Sequence, residues 1–206
     1  MTIDSARPAA PAAPAAPGTE RPPPSYTKHA PPAPAPAPAP GGCSPQAPAV
    51  PLKVRHVAVP DPEVEPLLEG LHAEYTSRYG PNDEINRYPG ERFTPEHGGA
   101  FLVLVEHGRT VAGGAFFRHD GETAELKRIW THPDHRRRGL GVAVVRELER
   151  EAARQGYRRI YLTTGPRQPE AAGLYLSTGY TPLYDLGADP ETVGPHPFEK
   201  IIRGSA

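Results

Sequence analysis

Arg136-Arg137-Arg138-Gly139-Leu140-Gly141-Val142 joins a strand-like run, Thr123-Ala124-Glu125-Leu126-Lys127-Arg128-Ile129-Trp130, to a helix-like run over 142–154. The first backbone N–H groups of a helix have no partner inside it, and the helix dipole places partial positive charge there. Glycine removes the Cβ that would hold a ligand's oxygens away from those groups. Arginines at such a position are disfavoured by the dipole, by roughly 0.3–1 kcal/mol each at the surface. A bound anion reverses that sign, so the stretch reads as a phosphate cradle. A basic glycine turn is also compatible with a plain solvated strand-to-helix connection. Two other phosphate loops are excluded: no Gly-Lys-Ser/Thr ending occurs, and Val144 stands where a dinucleotide fingerprint needs its third glycine.

Outward from this loop, the element order is that of a mixed α/β sheet. Strands are predicted over 53–59, 101–106, 110–118, 123–131, 158–163, 180–184 and 198–202. His107-Gly108-Arg109 and His119-Asp120-Gly121-Glu122 mark hairpin turns. Val64, Leu67, Leu68, Leu71 and Tyr75 recur at helical spacing after Asp61-Pro62, an N-cap followed by proline, and Gly80-Pro81 stops that helix near Tyr79. A second helix over 140–154 buries Val142, Val145, Leu148 and Ala152 and exposes Arg146, Glu147, Arg150 and Arg154. A third runs over 170–177 to Gly179. Residues 81–98 form a long irregular connection, a kind usually retained for binding. Alternation along 123–131 puts Glu125, Lys127 and Ile129 on one face and Leu126, Arg128 and Trp130 on the other. The fold class is α/β, a mixed and mostly antiparallel sheet flanked by helices.

Composition divides the chain at about residue 52. Residues 1–51 contain 16 of its 29 prolines, and most of the remainder is Ala, Gly or Ser. Too few apolar side chains are present there to offset the entropy of ordering, so 1–51 is read as a disordered Pro/Ala-rich tail and 52–206 as one domain. The tail reads as a spacer; docking on an aromatic groove is the other use of such repeats. The start of the chain shows no apolar signal-like stretch, and the apolar run 100–105 is too short to span a bilayer. The single cysteine, Cys43, permits no intramolecular disulfide, which fits a cytoplasmic location. A net charge of −1 supplies no basis for nucleic-acid binding.

The spacing Arg136-x-x-Gly139-x-Gly141 resembles the acyl-CoA pyrophosphate loop of the GNAT superfamily of N-acetyltransferases. Downstream, Leu174-Tyr175-Leu176-Ser177-Thr178-Gly179-Tyr180 resembles the L-Y-x-x-x-G-F/Y ending of that family's fourth helix. Gln168-Pro169-Glu170-Ala171 stands where the family often has Asn-x-x-Ala, and Thr164 to Ala171 resembles the T-G-x-R-Q-P-E-A segment of a bacterial branch. The closing Phe198-Glu199-Lys200 resembles that branch's final strand. The resemblance covers about 100–202, and it implies a GNAT acyl-CoA N-acyltransferase fold with acetyl-CoA as co-substrate.

It also implies roles. Backbone N–H groups over 138–142 (Arg138, Gly139, Leu140, Gly141, Val142) would meet the pyrophosphate, with Arg136 or Arg137 adding charge-assisted bonds. Ile129, Trp130 and Thr131 would pair with the pantetheine arm as if it were a strand. Gln168 keeps an amide, one methylene longer than the usual Asn. Tyr175 falls where the superfamily's proposed general acid stands, able to protonate the leaving thiolate, whose thiol has a pKa of about 8.5. Glu125 is the choice for the base that frees an amine of pKa near 10. The bland alternatives are a Tyr175 packed against the sheet and a Glu125 paired with Lys127 or Arg128. His132 and His135, without a third ligand nearby, do not make a metal site. The expected activity is direct transfer of an acetyl group in a ternary complex to an amine-bearing acceptor of undefined class, by a monomer or homodimer. A non-catalytic acetyl-CoA sensor on the same fold is the alternative. The acceptor pocket is expected to be lined by 81–98, where Asp83, Glu84, Glu91 and Glu96 against Arg87 and Arg92 leave an acid excess suited to a cationic amine.

Overall fold

The computed structural model describes residues 52–202. The proline–alanine segment and Cys43 lie outside the described residues. The chain runs β1 (Lys53–Val57), α1 (Glu65–Tyr79), three single 3-10 turns between Glu84 and His97, β2 (Ala100–Glu106), β3 (Arg109–Arg118), β4 (Thr123–Thr131), a 3-10 turn at Pro133–His135, α2 (Leu140–Arg154), β5 (Arg159–Thr164), α3 (Pro169–Ser177), β6 (Thr181–Pro182), α4 (Pro190–Val193) and β7 (His196–Ile201). The seven strands form one sheet in the order β1-β2-β3-β4-β5-β7-β6. Every pairing is antiparallel except β4 with β5, which is parallel. The mixed, mostly antiparallel sheet read from the sequence is therefore present.

Two apolar layers bury the two faces of the sheet. Leu102, Leu104, Phe116, Leu126, Ile160, Leu162 and Phe198 pack with Val144, Val145, Leu148 and Ala152 of α2 and Tyr175 of α3. On the other face, Phe101, Val103, Val105, Ala115, Phe117 and Trp130 pack with Leu67 and Leu71 of α1 and with Phe93. β2 residues alternate between the two faces, and so do those of β3 from Ala112 onward; at Val111 the β2–β3 register shifts, and Val111 and Ala112 both face the α2 layer. In α2, by contrast, Val144 is buried and Val142 is only half-buried. The chain enters α2 through Gly139, and that start turns Val142 toward the groove described below.

Several boundaries shift. Asp61 accepts a bond from the Glu63 N–H (2.8 Å), so Asp61-Pro62 makes a turn and the helix begins only at Glu65. The strand expected over 180–184 shrinks to Thr181–Pro182; beyond it the Leu183 N–H still donates to the Pro197 carbonyl (2.9 Å), and Pro197 has no N–H to return the bond. The one-turn α4, capped by Asp189 accepting from the Glu191 N–H, was not anticipated.

The alternation expected along β4 fails after Lys127. Gly113 pairs with Trp130 and Ala115 with Lys127, so two steps on β3 oppose three on β4. This bulge sits at Arg128, whose φ is 58°. Arg128 thereby joins Glu125 and Lys127 on the α1 face, and Ile129 crosses to pack against the α2 layer. Trp130 returns to the α1 face. Arg128, Ile129 and Trp130 are all opposite to their sequence-based assignment. One extra residue flips every later side chain.

Candidate active site

β4 and β5 are hydrogen-bonded only over Thr123–Arg159, Ala124–Ile160 and Glu125–Tyr161. Beyond those pairs β4 continues to Thr131 and β5 to Thr164 without a ladder between them, and the strands part. Their facing backbone groups from residue 126 onward open onto a cleft in the middle of the sheet. A backbone edge left unpaired in this way must find another partner, water or an extended ligand.

A groove of about 330 Å³ starts at this cleft and runs to the beginning of α2. Ile129, Trp130, Thr131, Arg136, Arg137, Gly139, Leu140, Gly141, Val142 and Gln168 all line it. The start of α2 carries no side-chain cap and no acidic residue in its first turn. Gly139 holds φ at 78°, a left-handed value that costs a side chain roughly 1–2 kcal/mol. A Cβ on Gly141 would lie 3.3 Å from Leu174 Cδ2, narrowing the groove between α2 and α3. The uncapped N–H groups thus face an open channel, and the solvated-connection alternative leaves that channel unexplained.

The three arginines part company. Arg136 ion-pairs with Glu74 of α1 at 2.9 Å. Arg137, with φ 60°, lines the groove and has no carboxylate partner among the described residues. Arg138 turns away: both terminal nitrogens hold the Glu106 carboxylate, at 2.9 and 2.7 Å, and one also meets His135 Nδ1. That bond holds the Glu106 carboxyl below the usual carboxylate range. Its side chain is not in the groove wall, so only its backbone remains as a cofactor contact. His132 and His135 stack edge-on at 5.4 Å; His135 Nδ1 lies 3.4 Å from the Glu106 carboxylate, and His132 Nδ1 accepts from the Asp134 N–H at 3.3 Å.

A larger cavity of about 880 Å³ opens on the other side of the cleft. Ile129, Gln168, Ala171 and Tyr175 line both spaces, so the two meet there. Tyr175 is 5% exposed, with its ring against Tyr180 and Phe198 at 5.6 Å each. Burial pushes its phenol well above the usual value, with nearby Tyr75 adding to the shift. A phenol so placed keeps its proton at neutral pH. Gln168 Oε1 accepts from Thr164 Oγ1 and from the Gly165 N–H, both at 3.0 Å, which pins the β5–α3 turn.

Glu125 lines neither space. Its carboxylate is 8% exposed at the residue level and is held by Lys127 Nζ at 2.7 Å and His119 Nδ1 at 3.1 Å. The partnership with Lys127 is the bland reading given above; Lys127, not Glu125, reaches the larger cavity. Of residues 81–98, only Asn82, Asp83, Glu84 and Arg87 line that cavity. Glu91, Arg92 and Glu96 do not, and Lys127, Arg128 and Arg167 do. The lining sets four cations against the carboxylates of Asp83, Glu84 and Glu191, so the expected acid excess is absent and the two signs nearly balance.

Sequence reasoning missed Tyr75 and the α1 strap. Tyr75 is one of a helical apolar series, yet it lines the cavity, and burial followed by Glu84 and Glu74 pushes its phenol up to about 12. At the end of α1, Arg78 bonds Glu170 and the Arg167 carbonyl, Arg167 Nη1 returns a bond to the Arg78 carbonyl (2.9 Å), and the Arg167 N–H reaches Tyr79 Oη (3.1 Å). This strap ties α1 to the β5–α3 turn over the cleft. Such cross-chain contacts leave no local periodicity to read.

A sequence profile described as the acetyltransferase (GNAT) family matches residues 65–180. An uncharacterized N-acetyltransferase of Bacillus subtilis, YsnE, is 35% identical over 92 residues, which cover 42% of this chain and 61% of YsnE. The chain therefore spans less than two thirds of that relative. A GNAT-family acetyltransferase from Staphylococcus aureus superimposes with a TM-score of 0.59 at 16% identity, covering 73% of this chain and 100% of the other. A GNAT-superfamily phosphinothricin acetyltransferase from Sinorhizobium meliloti, in complex with AcCoA, gives 0.56 at 14% identity over 73% and 88%. At these identities the two structures share the fold.

Proposed function

Because the chain belongs to the GNAT family of acetyltransferases, we propose that it transfers an acetyl group from acetyl-CoA directly to a primary amine held beside it. The observation that carries this reading is that the uncapped start of α2 and Tyr175 share one groove, which joins a second cavity at Tyr175. One space suits the carrier and the other the acceptor.

The N–H groups of Leu140, Gly141 and Val142 bind the diphosphate, and Arg137 adds charge without an internal partner to give up. Arg136 exchanges part of its bond to Glu74 for the same oxygens. The open edge of β4 over 129–131 pairs with the amides of the pantetheine arm. The thioester supplies an activated acetyl carbonyl; the amine nitrogen attacks it, the C–N bond forms, and the C–S bond breaks. Tyr175 gives its hydroxyl proton to the departing sulfur and recovers one from the nitrogen as the amide forms, so the buried phenol ends neutral, the form that burial favours. Glu125 takes the ammonium proton through water, since Lys127 stands between it and the cavity.

The test is release of free CoA thiol from acetyl-CoA with a panel of amines, followed by mass measurement of the acetylated product. Acetyl-CoA binding without turnover on any amine overturns the reading in favour of a sensor. Glu125→Gln should depress kcat most on the acidic side of the pH profile and leave the acetyl-CoA KM in place. An unchanged profile removes Glu125 from the reaction.

A further inference from the structure

The lining of the larger cavity carries four cations, and three have a carboxylate partner. Arg87 pairs with Glu84 at 3.4 Å, Lys127 with Glu125 at 2.7 Å and Arg167 with Glu191 at 2.8 Å. Among the described residues Arg128 is the one cation of this lining with no carboxylate within 4.0 Å. Its guanidinium lies 4.3 Å above the Phe93 ring, and Nη2 donates to the carbonyls of Ile85 (2.7 Å) and Tyr88 (3.1 Å). Nη1 is buried without any partner.

Arg128 is unusual twice over. It is a non-glycine residue at φ 58° in the β4 bulge, and the bulge is what turns it toward the cavity face. Left-handed backbone is strained at such a residue and persists where surrounding structure enforces it. Desolvation then penalises the charge and lowers its pKa, although a guanidinium stays protonated in any protein environment. A ring face and two carbonyls stabilise the cation without cancelling its charge. A strut tying the 85–88 turn to the sheet accounts for Nη2, but it needs neither the full charge nor the idle Nη1.

We propose that the acceptor is an amino acid or similar amine bearing a carboxylate, and that Arg128 receives this carboxylate in the larger cavity. The inference rests on reading that cavity as the acceptor site. The carboxylate replaces the missing counter-ion, and the forked guanidinium fixes the amine's position relative to Tyr175. The uncompensated cation at Arg128 favours such an acceptor over a polyamine.

The experiment uses α-, β- and γ-amino acids, each paired with its own primary amide, on the whole chain with saturating acetyl-CoA. For the preferred skeleton, the acid should exceed its amide in kcat/KM by about 30-fold, as expected for one charge-assisted pair. Arg128→Gln should collapse that ratio toward one, and Arg128→Lys should restore part of it. A purely structural role would lower acid and amide together and leave the ratio intact, which overturns the proposal. So does a wild-type preference for the amide. Should Arg128→Gln fail to fold, the wild-type ratio and calorimetric binding of the same acid–amide pairs decide the matter. If no amine is acetylated at all, the transfer reading falls, and calorimetry with the same pairs judges Arg128 by itself: tighter binding of the acid supports it, equal binding refutes it.

Discussion

The smaller groove and the larger cavity meet at Tyr175, yet they are made of different material. The groove is walled largely by one continuous stretch, 129–142, and the groups proposed to bind there are backbone amides at the edge of β4 and the start of α2. The cavity is walled by side chains from α1, the turns after it, β4, the β5–α3 turn and α4. A site built from backbone needs only that a loop fold one way, so glycine spacing announces it. A site built from side chains drawn together by tertiary packing depends on what each neighbour does to the next.

The contrast breaks most visibly at the junction. Tyr175→Phe preserves the ring contacts with Tyr180 and Phe198 and removes one hydroxyl that lies at the meeting of both spaces. We expect kcat to fall about 100-fold, within the range for a lost general acid, with the acetyl-CoA KM nearly unchanged. Stopped or steady-state thiol release measures both. A kcat within about threefold of wild type would reduce Tyr175 to packing and transfer interest to Tyr75, the other phenol facing the cavity.

On the carrier side, Gly139→Val and Gly141→Val act on backbone by different routes. The first places a β-branched residue at φ 78°, and the second drives a side chain toward Leu174, whose Cδ2 would lie 3.3 Å from the new Cβ. Each should raise the acetyl-CoA KM at least tenfold, equivalent to about 1.4 kcal/mol, while the acceptor KM moves little. An acceptor KM that rises equally would show the two spaces to be one.

How far the sequence could be read follows the same division. The extents of β4 and α2 were legible to the residue, because Gly121 precedes 123–131 and Gly139 and Gly156 flank 140–154. The groove followed from them. The face assignments of Arg128, Ile129 and Trp130 were not legible, because a bulge is set by the pairing of two strands: glycines at 113 and 114 permit one, but do not say where on β4 the extra residue falls. Nor could 81–98 reveal which of its charges face inward: Phe93 anchors the stretch in the α1-side core, and its burial decides that Glu91 and Glu96 point elsewhere. Alternation puts Glu125 and Lys127 on one face, and they do pair, but it gives no sign of His119, which reaches Glu125 from the adjoining turn.

The smallest effects sharpen the comparison within the arginine triplet, where three neighbours of one residue type have three fates. Arg137→Ala removes an unpaired charge from the groove and should raise the acetyl-CoA KM about five-fold, less at high salt, since exposed charges are screened. Arg138→Ala removes a side chain already committed to Glu106 and His135 outside the groove. Its acetyl-CoA KM should stay within about twofold, because the backbone amide it contributes is untouched by the substitution. The cost should appear instead in thermal stability, where Glu106 loses the partner that lowers its pKa; that contribution is present above the unfolded carboxyl pKa and fades as pH falls through the folded one. Melting curves of Arg138→Ala and wild type should therefore differ at neutral pH and converge in acid, whereas an acetyl-CoA KM that rises as steeply as for Arg137→Ala would return Arg138 to the diphosphate.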